Sequence, residues 1–315
     1  NTLLLLVPSF LYRLNLNSKL KKIDQYNVKN VRSRVDYYNK INEDFQLSEN
    51  AVTNNELFFN QMLKLKKRFV NKISVKKRTT YFFDLFSVFS FFPKHKKLDY
   101  KFGDITHTFP SPTIVKSRPI VNSKNSVIMG LNKVRHFNFI KDPINFAVKK
   151  DMAVWRGYAK NSENREYFIK NYYDVPTFDI GQHAPKVNEP WHRPYMPISE
   201  QLRFKFIFCI EGADTATNIK WVMSSNSVCV MPKPKYETWF MEGKLKPDFH
   251  YIFIKDDFSD AEDKINFFIK HPHHVKKIIA NANDFVDQFK NQRREKLISL
   301  LVLDKYFSYS KNHSN

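Results

Sequence analysis

Residues 204–231 read FKFIFCIEGADTATNIKWVMSSNSVCVM, and their reading decides the fold. Phe204–Ile210 (FKFIFCI) is an apolar run without alternation, as expected of a strand buried on both faces. Glu211-Gly-Ala-Asp is a turn. Thr215–Ser224 is expected to form a helix with Ile219, Val222 and Met223 on one side, and Ser227–Met231 a second buried strand. Strand, Gly turn, helix and strand in that order make a parallel βαβ unit.

The pattern continues in both directions. Upstream, Met152–Trp155 reads as a strand turned by Arg156-Gly157, Ser162–Asn171 as a helix, and Pro176–Ile180 as a strand. Downstream, Tyr236–Glu242 reads as a short helix and Tyr251–Ile254 as a strand. Ser259 with Glu262 has the spacing of a capping box, and Pro272 suits a first helical position. Val275, Ile278, Ile279, Ala282, Phe285, Val286 and Phe289 then keep helical spacing. The alternation implies an α/β class with a parallel sheet covered on both faces, where ligands bind at the carboxyl ends of the strands.

The first half is less regular. Asn54–Ile73 is the clearest helix there. Residues 80–92 (TYFFDLFSVFSFF) read as strand, turn and a further apolar element, and residues 103–121 as loop with short strands. No internal repeat and no Gly/Ser linker is present.

The chain has 315 residues, enough for about two domains, with 42% apolar residues, 30 Phe and 15 Tyr. Such a composition excludes a disordered tail protein. Lys and Arg total 52 against 31 acids, a net charge of +21, which favours acidic partners. A nucleic-acid-binding role competes on charge alone; no recognised nucleic-acid module is present, and the aromatics sit in strand cores, so no nucleic-acid partner is expected. Cys209 and Cys229 lie in apolar runs and read as inert buried thiols of a reducing compartment. His271, His273 and His274 read as a helix start, and no Cys/His spacing suggests zinc. The stretch Thr2-Leu-Leu-Leu-Leu-Val-Pro-Ser-Phe with the following basic residues is too short to span a bilayer. It reads as a buried first element, or as a peripheral contact with an anionic membrane surface.

The turn at 211–218 is the first candidate site. Gly212 lets the backbone approach a ligand, and the N–H groups of residues 215–218 would face an anion, with Lys220 one turn on. The residues of a diphosphate-sized site are therefore Gly212, Ala213, Asp214, Thr215, Ala216, Thr217, Asn218 and Lys220. Neither G-x-G-x-x-G nor a Walker lysine pattern occurs, which disfavours a nicotinamide cofactor or ATP.

Lys205–Asp260, together with Pro112–Phe137 and Ala153–Glu166, resembles the signature region of glycosyltransferase family 90, the lipopolysaccharide- and capsule-modifying transferases related to protein O-glucosyltransferases. The resemblance spans about residues 80–290. It implies a GT-B-like architecture of two Rossmann-like domains facing a cleft. It implies inverting, metal-independent transfer of a hexose or pentose from a UDP-sugar, the co-substrate, with no cofactor. The acceptor would be a hydroxyl of a glycan or glycolipid such as a lipopolysaccharide core. A catalytically inactive glycan-binding scaffold is the alternative. The expected division is 1–150 as acceptor-side domain with a helical N-terminal extension, 151–290 as nucleotide-sugar domain, and 291–315 as a helix or tail packing back on the first. The expected location is cytoplasmic, peripheral to the inner face of the membrane.

The resemblance also assigns residues. In the eukaryotic relatives a strand ends in Arg-Gly-Ser and a following Glu-Arg-Asp supplies a phosphate-binding Arg. Here Arg156 and Gly157 end the strand, Tyr158 replaces the Ser, and Asn164-Arg165-Glu166 stands where Glu-Arg-Asp would be. Arg165 is the carried-over diphosphate contact. The relatives place another Arg near the end of the second phosphate loop, where Asn218 stands here. Glu237 matches an acid that would accept hydrogen bonds from the donor ribose. Arg118 and Asn125 would meet the donor from the first domain. The general base of the relatives is an Asp just after a strand, which points to Asp84, with Asp104 in Phe102-Gly-Asp the runner-up. Asp256, Asp257 and Asp260 do not form Asp-x-Asp and read as turn and helix start.

Overall fold

The computed structural model describes residues 25–70, 79–160, 162–183 and 189–311. The apolar and basic N-terminal stretch lies outside the described residues. The chain forms two compact units. One comprises the residues up to Val134 together with those from Asn291 on, and the other is Arg135–Lys290. The fold is mixed α/β with parallel sheets.

In the first unit, helices α1 (Gln25–Tyr38), α2 (Asn54–Val70) and α3 (Thr79–Phe89) precede the short strands β1 (Tyr100–Lys101), β2 (Thr113–Val115) and β3 (Ser126–Ile128). These strands form a small parallel sheet in the order β1-β2-β3. The strand expected within 80–92 is a helix. Tyr81, Phe82, Leu85, Val88 and Phe89 are all buried, and that spacing is helical. The β-favouring aromatics masked it, because one-sided burial overrides propensity.

The second unit begins with β4 (Lys150–Gly157), α4 (Glu163–Tyr172), β5 (Phe178–Gln182) and β6 (Phe204–Phe208). It continues through the short α5 (Ile219–Met223), β7 (Val228–Met231), β8 (Tyr236–Thr238), β9 (Ile252–Phe253), α6 (Ala261–Lys270) and α7 (Pro272–Asp287). Its main sheet runs β9-β7-β6-β4-β5, and every neighbouring pair is parallel. Phe206, Ile207 and Phe208 are fully buried, at about 1.5–3 kcal/mol for each such side chain. Pro272 opens α7, and Val275, Ile278, Ile279, Ala282 and Val286 form its buried face.

Three local readings change. The helix expected from Thr215 begins only at Ile219, because the Asn218 amide turns away to donate to the Phe208 carbonyl (2.9 Å) and no side chain caps the helix. The helix expected at 236–242 is strand β8 followed by a 3-10 turn at Glu242–Lys244. Pro232 and Pro234 favour extended backbone before it, and Met241 takes a left-handed φ of 57°. The capping box at Ser259 does not form: Ser259 donates to Asp257 (2.8 Å), and Asp260 precedes the helix without a side-chain cap.

The helix α8 (Gln292–Tyr309) belongs to the first unit. It is tied to α1 by an Arg34–Glu295 ion pair (2.6 Å) and by an Asn39 amide donating to the Val302 carbonyl (3.1 Å). Among the described residues, no helix is long and apolar enough to cross a membrane.

Candidate active site

In chain order the five strands of the main sheet lie as 2-1-3-4-5, so the winding direction reverses between β4 and β6. A crevice at the carboxyl ends of those two strands is where such sheets bind ligands. Arg165 occupies that place. Ser162 caps its helix, accepting the Arg165 N–H. The guanidinium donates twice to the Ile210 carbonyl, through Nε (3.1 Å) and Nη2 (2.8 Å). It donates once to the Tyr158 carbonyl through Nη1 (3.2 Å). Ile210 follows β6 and Tyr158 follows β4, so one side chain joins both strand ends. Three of the five guanidinium N–H groups are engaged this way, all on neutral carbonyls.

Gly212 packs directly on this group. A Cβ there would lie 2.9 Å from Arg165 Cζ and 3.0 Å from each terminal nitrogen. The close approach expected of Gly212 is thus to the guanidinium. Burial, followed by the neighbouring Arg135, depresses the Arg165 pKa, while Asp214 and Glu211 act the other way. Two cations that repel one another are an arrangement that a nearby anion would relieve. Arg135 and its closeness to Arg165 had no local signal in the sequence.

The remaining residues of the turn divide. Asp214, Thr215 and Ala216 are buried, and Ala213 is exposed. The Gly212 N–H donates to the Asp214 carbonyl (3.1 Å). The Thr215 hydroxyl is buried with no hydrogen-bond partner among the described residues. Thr217 and Asn218 are half-buried, and Asn218 is engaged by Phe208 as above. Because α5 starts at Ile219, residues 215–218 do not form the first turn of a long helix.

Lys220 does not serve the turn. It is 1% exposed, its ammonium pairs with Glu242 Oε1, and it lies over the Phe240 ring (5.4 Å). Glu242 also accepts the Thr238 N–H (2.6 Å) and hydroxyl (2.9 Å). The ammonium charge is therefore neutralised within the core. Sequence spacing could not reveal this, since the partner lies on a different element.

Arg156 is similarly engaged. Its guanidinium donates to the Trp155 and Asp179 carbonyls (3.0 and 2.7 Å) and pairs with the Asp179 carboxylate. This staples β4 to β5. Tyr158 is exposed at the mouth of β4. Glu237 lies on β8, 1% exposed.

Glu211, read from sequence only as a turn residue, is the most perturbed acid of this region. Its Oε1 accepts the N–H groups of Lys235 and Tyr236, each at 3.2 Å. Burial pushes its carboxyl up to about 7 against those two hydrogen bonds, with Glu242 adding to the rise.

In the first unit, Asp84 lies in the middle of α3 rather than after a strand. Its Oδ2 accepts the Lys133 N–H (2.9 Å), and burial raises its pKa against that bond. Asp104 follows β1 closely, at the carboxyl end of a parallel strand. Gly103, with φ of 126°, makes the turn that presents it. Asp104 is ion-paired to the buried ammonium of Lys116, and its side chain remains 36% exposed. Arg118 is fully buried and donates to the Tyr37, Tyr38 and Ser126 carbonyls (2.6, 3.1 and 2.8 Å), so it holds α1 to the sheet. The Asn125 amide closes a loop by donating to the Phe109 and Pro110 carbonyls, each at 2.9 Å. Neither Arg118 nor Asn125 presents these donors to a ligand.

Cys209 and Cys229 are free and buried. Among the described residues, no three His, Cys, Asp or Glu side chains form a group that could hold a metal ion.

Comparison with known proteins shows the family. The family model for glycosyl transferase family 90 matches residues 88–306. The O-glucosyltransferase LpsA of Dichelobacter nodosus is 38% identical over 280 residues, covering 88% of this chain and 83% of that protein. Uncharacterized protein 179R of Invertebrate iridescent virus 6 is 30% identical over 128 residues, 38% of this chain but 10% of its own length. A family match across most of the length and a relative aligned over most of both chains show that the chain belongs to glycosyltransferase family 90.

Proposed function

We propose that this glycosyltransferase moves a hexose or pentose from a UDP-sugar to a hydroxyl of a surface glycan such as a lipopolysaccharide core. The displacement is single and inverting, needs no divalent ion, and runs on a GT-B-like pair of Rossmann-like domains. Glucose is the favoured sugar, since the relative aligned over most of the chain is described as an O-glucosyltransferase. A bound membrane surface, if the acceptor is a glycolipid, is approached peripherally.

The observation that carries this reading is Arg165, fixed by carbonyls at the reversal point of the sheet with Arg135 beside it. Neutral partners orient the guanidinium and leave its charge for the donor diphosphate. Arg165 and Arg135 supply the positive charge that a leaving UDP requires. The buried, unpartnered Thr215 hydroxyl adds a donor in the same turn. Glu237 accepts from the donor ribose.

The reaction also needs a base to take the acceptor proton. Asp104 fills that role better than Asp84. It alone of the two follows a parallel strand, and its ion pair with Lys116 fixes the carboxylate while its side chain stays 36% exposed. Asp104→Asn is expected to lower the transfer rate by about 10²–10⁴-fold while UDP binding, measured by calorimetry, stays unchanged. Asp84→Asn is expected to retain most of the turnover. The reverse pattern would move the base to Asp84. A protein that binds UDP-glucose but transfers from none of the common UDP-sugars with either residue intact would favour the glycan-binding scaffold.

A further inference from the structure

We propose that Glu211 is a positioning residue of the donor site, clasping the Pro232–Tyr236 segment to the turn after β6 and thereby setting where Glu237 stands. The inference rests on the donor-site reading above.

The geometry is specific. One carboxylate oxygen, Oε1, accepts two consecutive backbone N–H groups, those of Lys235 and Tyr236. Glu237 is the next residue. The carboxylate thereby holds the start of β8 to the turn after β6. From the other side, Glu211 is adjacent to Gly212, against which the Arg165 guanidinium packs, and its own carbonyl accepts the Ser162 hydroxyl (3.4 Å) that begins α4. One residue therefore touches the diphosphate turn, the helix bearing Arg165 and the segment bearing Glu237.

The clasp is also sensitive to charge. The groups acting on the carboxyl are Lys235 from the clasped segment, Glu242 from the turn after β8 and Arg165 from α4. Lys235 is itself paired with Asp256 (3.0 Å). The burial that raises the carboxyl means that Glu211 changes charge near neutrality. Its ionised form stands beside Arg165 and opposes an incoming dianion, whereas its neutral form keeps an oxygen to accept both N–H groups without that opposition.

Two variants separate the clasp from the charge. Glu211→Gln keeps an acceptor oxygen and loses the charge, and Glu211→Ala loses both. The ligand is UDP-glucose, whose diphosphate keeps its charge across this range. The readouts are its dissociation constant at pH 6 and 8 and hydrogen exchange of the peptide spanning residues 232–238. Glu211→Ala is expected to raise the dissociation constant about tenfold at both pH values and to speed exchange of that peptide. Glu211→Gln is expected to keep wild-type protection and to bind equally at both pH values, where the wild type binds several-fold more weakly at pH 8. Wild-type affinity in Glu211→Ala, or a pH step that survives in Glu211→Gln, overturns the inference. Arg165→Ala, run in parallel, tells which reading has failed. If it loses affinity while Glu211→Ala does not, only the role of Glu211 falls; if the wild type itself binds no UDP-glucose, the donor site falls and this role with it.

Discussion

Arg165 and Lys220 stand on either side of the same turn, and their surroundings differ in one respect. Arg165 meets the carbonyls of Ile210 and Tyr158, while Lys220 meets the carboxylate of Glu242. A carbonyl fixes a cation in place and leaves its net charge; a carboxylate fixes it and cancels the charge. Only the first arrangement leaves charge for a ligand. A basic residue beside a turn is therefore informative about anion binding only once its partner is known.

Lys220→Met tests the core side of this contrast, and its effect is expected to be the largest. It leaves Glu242 buried without its cation, at a cost of about 3–5 kcal/mol of stability, read as a fall in the thermal midpoint. In the folded fraction UDP affinity should stay within about twofold. A large loss of affinity without a loss of stability would erase the distinction between the two cations.

Arg165→Ala tests the other side. Removing one preorganised charged donor costs on the order of 10²–10³-fold, here expected in UDP affinity, with a smaller change in thermal midpoint. Equal damage to stability and binding would mean that Arg165 is chiefly a strand staple, as Arg156 is. Gly212→Ala sharpens the comparison. Its methyl would meet a guanidinium held by three hydrogen bonds, so about tenfold weaker donor binding is expected, at the strength of roughly one hydrogen bond. Crystallography of the variant would show Arg165 displaced.

The smallest effect concerns Glu211. Its carboxyl is raised to about 7, above the unfolded value of about 4.3. In that window the native state binds more protons than the unfolded one, so this contribution to stability is greatest below the unfolded value. It is lost as pH rises towards 7 and flat beyond. Between pH 5 and 7.5 the wild-type thermal midpoint should fall more steeply than that of Glu211→Gln, by several degrees on the scale of about 2–4 °C per kcal/mol for larger domains. Parallel slopes would remove the charge of Glu211 from the account.

The second unit was the more legible half for a physical reason. Phe204–Phe208 and Val228–Met231 are buried on both faces, and continuous apolar runs can satisfy few other structures. The first unit packs short strands against helices whose aromatics suit either state. There Asp84 was misplaced after a strand, and Asp104, on a turn that needs Gly103, ranked second. Within the candidate site, the place of Arg165 in the fold was legible because a strand and a capped helix fix it locally. The engagement of Lys220 by Glu242, of Arg118 by the α1 carbonyls and of Glu211 by residues 235 and 236 all depend on partners distant in sequence. No window along the chain contains them.

The order in which the units are threaded has a consequence for synthesis. Residues 135–290 are continuous, so that unit has its whole core once they have left the ribosome. The first unit must wait. Arg34 and Asn39 find Glu295 and the Val302 carbonyl only after α8 has been made. The half encoded later is thus the one that can close first. Through that interval the earlier half holds an unsealed apolar face, the condition in which nascent chains are most exposed to misassembly.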